Sequence, residues 1–233
     1  MSSIAAPAAV AKPAPTTLLA RIFGTTIGQK LVMALTGVAL SLFVLAHMTG
    51  NLLAFQGAAA LDAYGAALRR IPALLWGARI GLLLAVGLHI WAYLALTGRS
   101  MGARPKDYRA KSYRESSYAS RTMRWTGPLL LAFIVYHLLD LTIGTVNPGF
   151  EHGLVYRNLT ASLSRPLVAA FYLVAMGALA FHLFHGIWSM FQTLGFNQPR
   201  YESVGRKLAT VFTVVVCGGF AIVPLSVVMG WLK

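Results

Sequence analysis

Residues 166–191 read PLVAAFYLVAMGALAFHLFHGIWSMF. The run carries no formal charge. A membrane-spanning helix needs about 20 such apolar residues. Pro166 suits its first turn, where the missing N–H costs no hydrogen bond. Near the far end, His182 and His185 stand about one helical turn apart. A polar ring is expensive in hydrocarbon, so an intramembrane histidine marks a candidate functional site.

Working outward, four more runs are long enough to cross a bilayer: 30–55, 75–96, 126–146 and 208–232. The first three carry one histidine each, His47, His89 and His137. The chain is therefore expected to be an all-α membrane protein with five transmembrane helices. Four of them form a core around the histidines, and a fifth is added to it. Pro224, inside the fifth run, predicts a kink. Residues 24–233 are expected to form the membrane domain. Residues 1–23, rich in Ala and interrupted by Pro7, Pro13 and Pro15, are expected to be a disordered cytoplasmic tail rather than a cleaved signal.

Composition supports this class. Of 233 residues 57% are hydrophobic, with 20 Lys and Arg against 6 Asp and Glu, and the mean hydropathy is +0.66. Soluble domains carry about 25% charged residues. The net charge of +14 lies mostly between apolar runs, so it reads as loop charge rather than as a nucleic-acid surface. Fourteen Lys and Arg fall on the side of the N-terminus and of the loops at 99–124 and 200–207, and six on the other side. The positive-inside rule then puts the N-terminus in the cytoplasm and the C-terminus outside. The long basic loop suits either lipid headgroups or a cytoplasmic protein partner. Cys217 is the only cysteine, lies in an apolar run and reads as a packing residue. Trp76, Trp125 and Trp231, near span ends, read as interface anchors.

Depth sorts the histidines. At about 1.5 Å per residue, His47 and His137 come late in outward-running spans and lie toward the outer face. His89 and His182 come late in inward-running spans and lie toward the cytoplasm. Two neutral imidazoles at one depth on facing helices match the axial ligation of a b haem. Two such pairs predict two haems, at separate depths. Their iron has no open position, which suits electron transfer. Small residues near the ligands (Gly37, Ser41, Gly81, Gly87, Gly177, Gly186) leave room for a flat macrocycle. Arg69, Arg70, Arg79, Arg99 and Arg165 are candidate propionate partners. His185 lies on nearly the same face as His182, and only one of them can be axial to a given iron. The other is expected to hydrogen-bond to a propionate or a neighbouring helix. Asp140 is the one carboxylate within the spans and could orient a histidine. His152, in an outer loop beside Asn147, Pro148 and Gly149, is expected to be solvated.

The segments Leu45-Ala46-His47-Met48 with Asn51, Gly87-Leu88-His89, Val135-Tyr136-His137-Leu138 and His182-Leu183-Phe184-His185-Gly186-Ile187-Trp188-Ser189, followed by Gln192-Thr193-Leu194-Gly195, are similar to a known pattern. Across about residues 24–232 the chain resembles the di-haem cytochrome b membrane anchor of succinate:quinone oxidoreductases, the single-anchor type of bacterial succinate dehydrogenases and fumarate reductases. The resemblance implies a bacterial cytoplasmic membrane location and two haem b groups. The His89/His182 pair would face the cytoplasmic subunits and the His47/His137 pair would be distal. The ligand in the family's fourth helix precedes a Gly by four residues, which selects His182 over His185. The resemblance also implies three partners: a flavoprotein with FAD, an iron–sulfur subunit and membrane quinone. The chain has neither a dinucleotide fingerprint nor a cysteine cluster of its own. Relatives working toward fumarate reduction place a glutamate beside the fourth-helix ligand, whereas span four here holds no acid. Asp62, Tyr64 and Asp140 are candidate quinone neighbours. A di-haem subunit of another membrane dehydrogenase, acting on hydrogen or formate, would need the same ligands and is the alternative reading.

Overall fold

The structure, a computed structural model, describes residues 17–103, 118–196 and 198–233. The first 16 residues of the expected tail and the middle of the basic loop lie outside the described residues.

The chain enters through a short helix, α1 (Leu18–Gly24), capped by the Thr17 hydroxyl, which accepts from the Ala20 N–H at 3.2 Å. The expectation of a disordered tail up to residue 23 thus gives way at Leu18. Two distant side chains hold this helix in place. Gln29 Nε2 donates to the Phe23 carbonyl at 2.9 Å, and Arg99 donates to the Gly24 carbonyl at 2.7 Å. Both satisfy carbonyls that a helix end leaves without partners. Gly28 makes the tight fold-back possible, since a Cβ there would stand 2.3 Å from the Ile22 carbonyl oxygen.

Five long helices follow, each long and apolar enough to cross a membrane. The first is α2 (Thr26–Asn51), extended by a 3₁₀ turn over Leu52–Gln56. A short helix, α3 (Ala58–Arg69), leads to α4 (Pro72–Gly102). Next comes α5 (Tyr118–Leu138), which passes into a π turn over Leu139–Ile143. Gly144 ends that turn at φ +87°, where a side chain would also meet the Phe150 ring. Then come α6 (Val155–Leu163), α7 (Pro166–Thr193) and α8 (Pro199–Val228). Among the described residues there is no strand. The protein is a multi-pass membrane protein.

Helices outrun the apolar runs where polar residues are still good helix formers. α8 starts nine residues before the fifth run, with a Glu202–Arg206 pair at 3.0 Å one turn apart. It continues through Pro224, where a kink is predicted, without ending. Besides α1, two further helices were not expected, α3 and α6. They lie in the loops at one end of the bundle. Asp62 of α3 accepts from the Tyr156 N–H at 2.9 Å and so caps α6 from another helix.

The helices pack in the lateral order α4, α2, α7, α5, with α8 laid along both α2 and α7. Leu183, Ile187, Ala209, Val216 and Cys217 form the packed seam between α7 and α8, so Cys217 is a packing residue. A second cluster, with Leu61, Leu159, Leu163, Tyr172 and Val223, fills the end covered by α3 and α6. Outer faces are apolar and exposed, as at Ile27, Leu83 and Leu167, which suits a surface solvated by lipid. Trp76, Trp125 and Trp231 are also exposed.

Candidate functional site

The four span histidines meet in twos. His47 of α2 faces His137 of α5, with ring centres 5.8 Å apart and planes at 83°. His89 of α4 faces His182 of α7, at 6.2 Å and 53°. In both cases the two helices concerned are not packing neighbours. The rings meet although α7 lies between α2 and α5, and α2 between α4 and α7, in the packing order. Among the described residues no three His, Cys, Asp or Glu side chains gather as a metal site.

The separations can be compared with what one metal ion would need. A metal–imidazole bond is about 2 Å. The ring nitrogen lies about 1 Å from its ring centre, so two imidazoles opposed on one ion have centres about 6 Å apart. Both pairs fit. Their spacing along the bundle follows from α7, where Tyr172 touches His137 and His182 faces His89. Ten residues at 1.5 Å give about 15 Å. α2 gives a similar answer, about 16 Å over the eleven residues from Thr36, at the His89 level, to His47. One ion cannot serve both pairs.

Each pair has a histidine oriented by a hydroxyl. Thr36 Oγ1 stands 3.1 Å from His89 Nδ1, and the same hydroxyl donates to the Val32 carbonyl at 2.7 Å. With its proton committed, Thr36 accepts from His89 Nδ1–H, which leaves Nε2 unprotonated, with its lone pair free for a metal. Gly37 packs beside this ring, since a Cβ there would lie 3.7 Å from His89 Cε1. In the other pair the Tyr172 hydroxyl stands 3.3 Å from His137 Nδ1. His182 has a buried Nδ1 with no partner among the described residues. His185 is placed differently. Its Nε2 lies 3.1 Å from Ser189 Oγ on the same helix, and His182, not His185, faces His89. His152 is exposed, against the edge of Phe150.

Asp140 lies in the π turn that begins two residues after His137, and it is fully buried. It accepts from Ser162 Oγ at 2.5 Å, Tyr172 Oη at 2.9 Å and Arg165 at 2.9 Å. Arg165 also donates to the Val146 carbonyl at 2.8 Å. A buried carboxylate with this many donors meets the condition for a charge in an apolar interior. Of the other residues singled out near this end, Asp62 caps α6, and Tyr64 packs its ring on Gly50, where a Cβ would come within 2.7 Å. Among the candidate propionate arginines, Arg165 holds Asp140, Arg99 holds α1 and Arg79 lies over the Trp76 ring at 5.1 Å.

Sequence reasoning missed Thr36, Ser162 and Tyr172. Hydroxyls in helices usually bond back to a carbonyl one turn earlier, as Thr49 and Thr210 do here. Only the tertiary position of Thr36 separates it from those.

The bundle end that carries His137 and the α7 segment that carries His182 lie within a stretch matched by a family model. The model describes the succinate dehydrogenase/fumarate reductase transmembrane subunit and covers residues 100–222, more than half of the chain. The chain belongs to that family. Comparison with curated proteins and with solved structures returned no match. A succinate dehydrogenase/fumarate reductase transmembrane subunit works as one component of that membrane complex, in association with its other subunits. Within the match lie His137, Asp140, Arg165, Tyr172, His182 and His185, while His47 and His89 precede it.

Proposed function

We propose that this subunit anchors a succinate:quinone oxidoreductase in the membrane and relays electrons between its iron–sulfur subunit and membrane quinone through two b haems. His89 with His182 would hold the haem nearer the cytoplasmic partners, and His47 with His137 the distal one. The observation that carries the reading is the meeting of the four histidines as two pairs, at 5.8 and 6.2 Å, from helices that are not packing neighbours. Haem held by two imidazoles supplies a one-electron iron centre with no open coordination position.

The chain's own residues then have definite tasks. Thr36 fixes which nitrogen of His89 is offered. Phe43, stacked on His47 at 5.3 Å, and Phe220 at 5.7 Å hold that ring and exclude water from it. The apolar outer faces keep the subunit in the bilayer, where quinone is dissolved. The basic loop, flanked by Arg99, Arg121 and Arg124, faces the cytoplasm and the partners there: a flavoprotein with FAD and the iron–sulfur protein. The excess of Lys and Arg on that side supports an N-terminus in the cytoplasm and a C-terminus outside the bacterial inner membrane.

The test is purification of the tagged chain from membranes. It should bring down a flavoprotein and an iron–sulfur protein, and the preparation should reduce quinone with succinate. Co-purification of a hydrogenase or formate dehydrogenase instead would establish the alternative, against which the family match already weighs.

A further inference from the structure

Tyr172 sits on α7, ten residues before His182, and its ring is only 7% exposed. Packing alone accounts for the ring, which meets Phe133 at 5.0 Å and Tyr136 at 6.4 Å edge-on. It does not account for the hydroxyl. That oxygen lies between two groups, Asp140 Oδ2 at 2.9 Å and His137 Nδ1 at 3.3 Å.

The direction of each bond can be deduced. Asp140 is paired with Arg165 and receives Ser162, so it is an acceptor toward every neighbour. Tyr172 has one proton and must give it to Asp140. Its oxygen then has only lone pairs to offer His137, so Nδ1 of that ring carries the hydrogen. Nε2 is left unprotonated and is the nitrogen available to a metal.

Resting on the haem reading above, we infer that Tyr172 is a positioning residue: its hydroxyl, held by Asp140, fixes the tautomer and the ring orientation of His137 toward the distal iron. A histidine that donates to a carboxylate-backed acceptor becomes a more basic ligand, and loss of such a partner typically changes metal affinity or activity by 10–100-fold. A more basic ligand favours the ferric form. Tyr172→Phe keeps the packed ring and removes only the hydroxyl. It should raise the reduced-to-oxidised ratio of the distal haem, at a fixed potential, by about tenfold, which for one electron is 59 mV. The inner haem, whose His89 is oriented by Thr36, should not move.

The experiment is a redox titration of the purified complex, followed by its haem absorbance. The distal component is identified as the one missing from His137→Ala. Tyr136→Phe, in the neighbouring ring, serves as the packing control. An upward shift of the distal component alone in Tyr172→Phe, without a shift in Tyr136→Phe, supports the inference. No shift, or the same shift in both variants, overturns it while leaving the haem reading intact. If Tyr172→Phe loses the distal haem altogether, Asp140→Asn decides, since it keeps an acceptor for Tyr172 but removes the charge. An upward shift there supports the inference and an unchanged potential overturns it. A wild-type complex without haem overturns both the inference and the reading beneath it.

Discussion

Replacing Arg165 with Met should cost this subunit about 3 kcal/mol of stability. Asp140 has no solvent exposure, and among the described residues Arg165 is its one cationic partner, at 2.9 Å. Removing one member of a buried pair leaves an uncompensated charge, at a cost of about 3–5 kcal/mol. The Arg165 side chain is 34% exposed, so water screens part of the attraction and the low end applies. The loss includes the bonds to the Val146 and Ser162 carbonyls, which tie the loop after α5 to the start of α7. The Arg157–Glu151 pair is the comparison. Its side chains are 55% and 48% exposed, and such pairs contribute about 0–1 kcal/mol. Unfolding of the detergent-solubilised complex by added SDS would measure both. Arg165→Met should unfold well before wild type and Arg157→Met with it. Asp140→Leu combined with Arg165→Met should recover part of the loss, because no charge is left buried. An Arg165→Met variant within 1 kcal/mol of wild type, or one no worse than Arg157→Met, would show that Asp140 does not depend on Arg165.

Other outcomes follow from the same geometry. Gly144→Ala puts a Cβ at φ +87° and 2.3 Å from the Phe150 ring, so a loss of about 3 kcal/mol is expected in the same unfolding assay. His182→Ala should remove one of two haems from the purified complex, whereas His185→Ala, whose ring bonds Ser189 on its own helix, should retain both. Loss of a haem in His185→Ala alone would exchange the two assignments.

The five spans were legible because each is an apolar run with at most one charged residue, near the length a bilayer demands. The histidine pairing was legible because a constant rise per residue converts position in a span into depth. It placed His89 level with His182, and His47 with His137, before any helix packing was known. α3 and α6 were not legible. They are short, and α6 mixes Tyr156, Arg157, Asn158 and Thr160 with its apolar residues, so hydropathy reads a loop there. α1 was obscured by the prolines before it, and only the contacts from Gln29 and Arg99 show why it forms. The surroundings of Asp140 were half legible. A lone carboxylate one turn after a histidine suggests an orienting group, but the route through Tyr172 depends on how α5 meets α7 across 32 residues of sequence. No periodicity carries that information. Asp62 and Tyr64 show the converse. Their polar side chains near one end of the bundle suggested a ligand site, and in the fold they cap a helix and pack on a glycine.

The most direct test of the account is the haem content of the purified complex, measured as b-type haem per copy of this chain and repeated for His47→Ala and His89→Ala. Wild type should carry two haems and each variant one, with the two variants losing spectrally different components. One haem in wild type, or variants that both lose the same component, would contradict it.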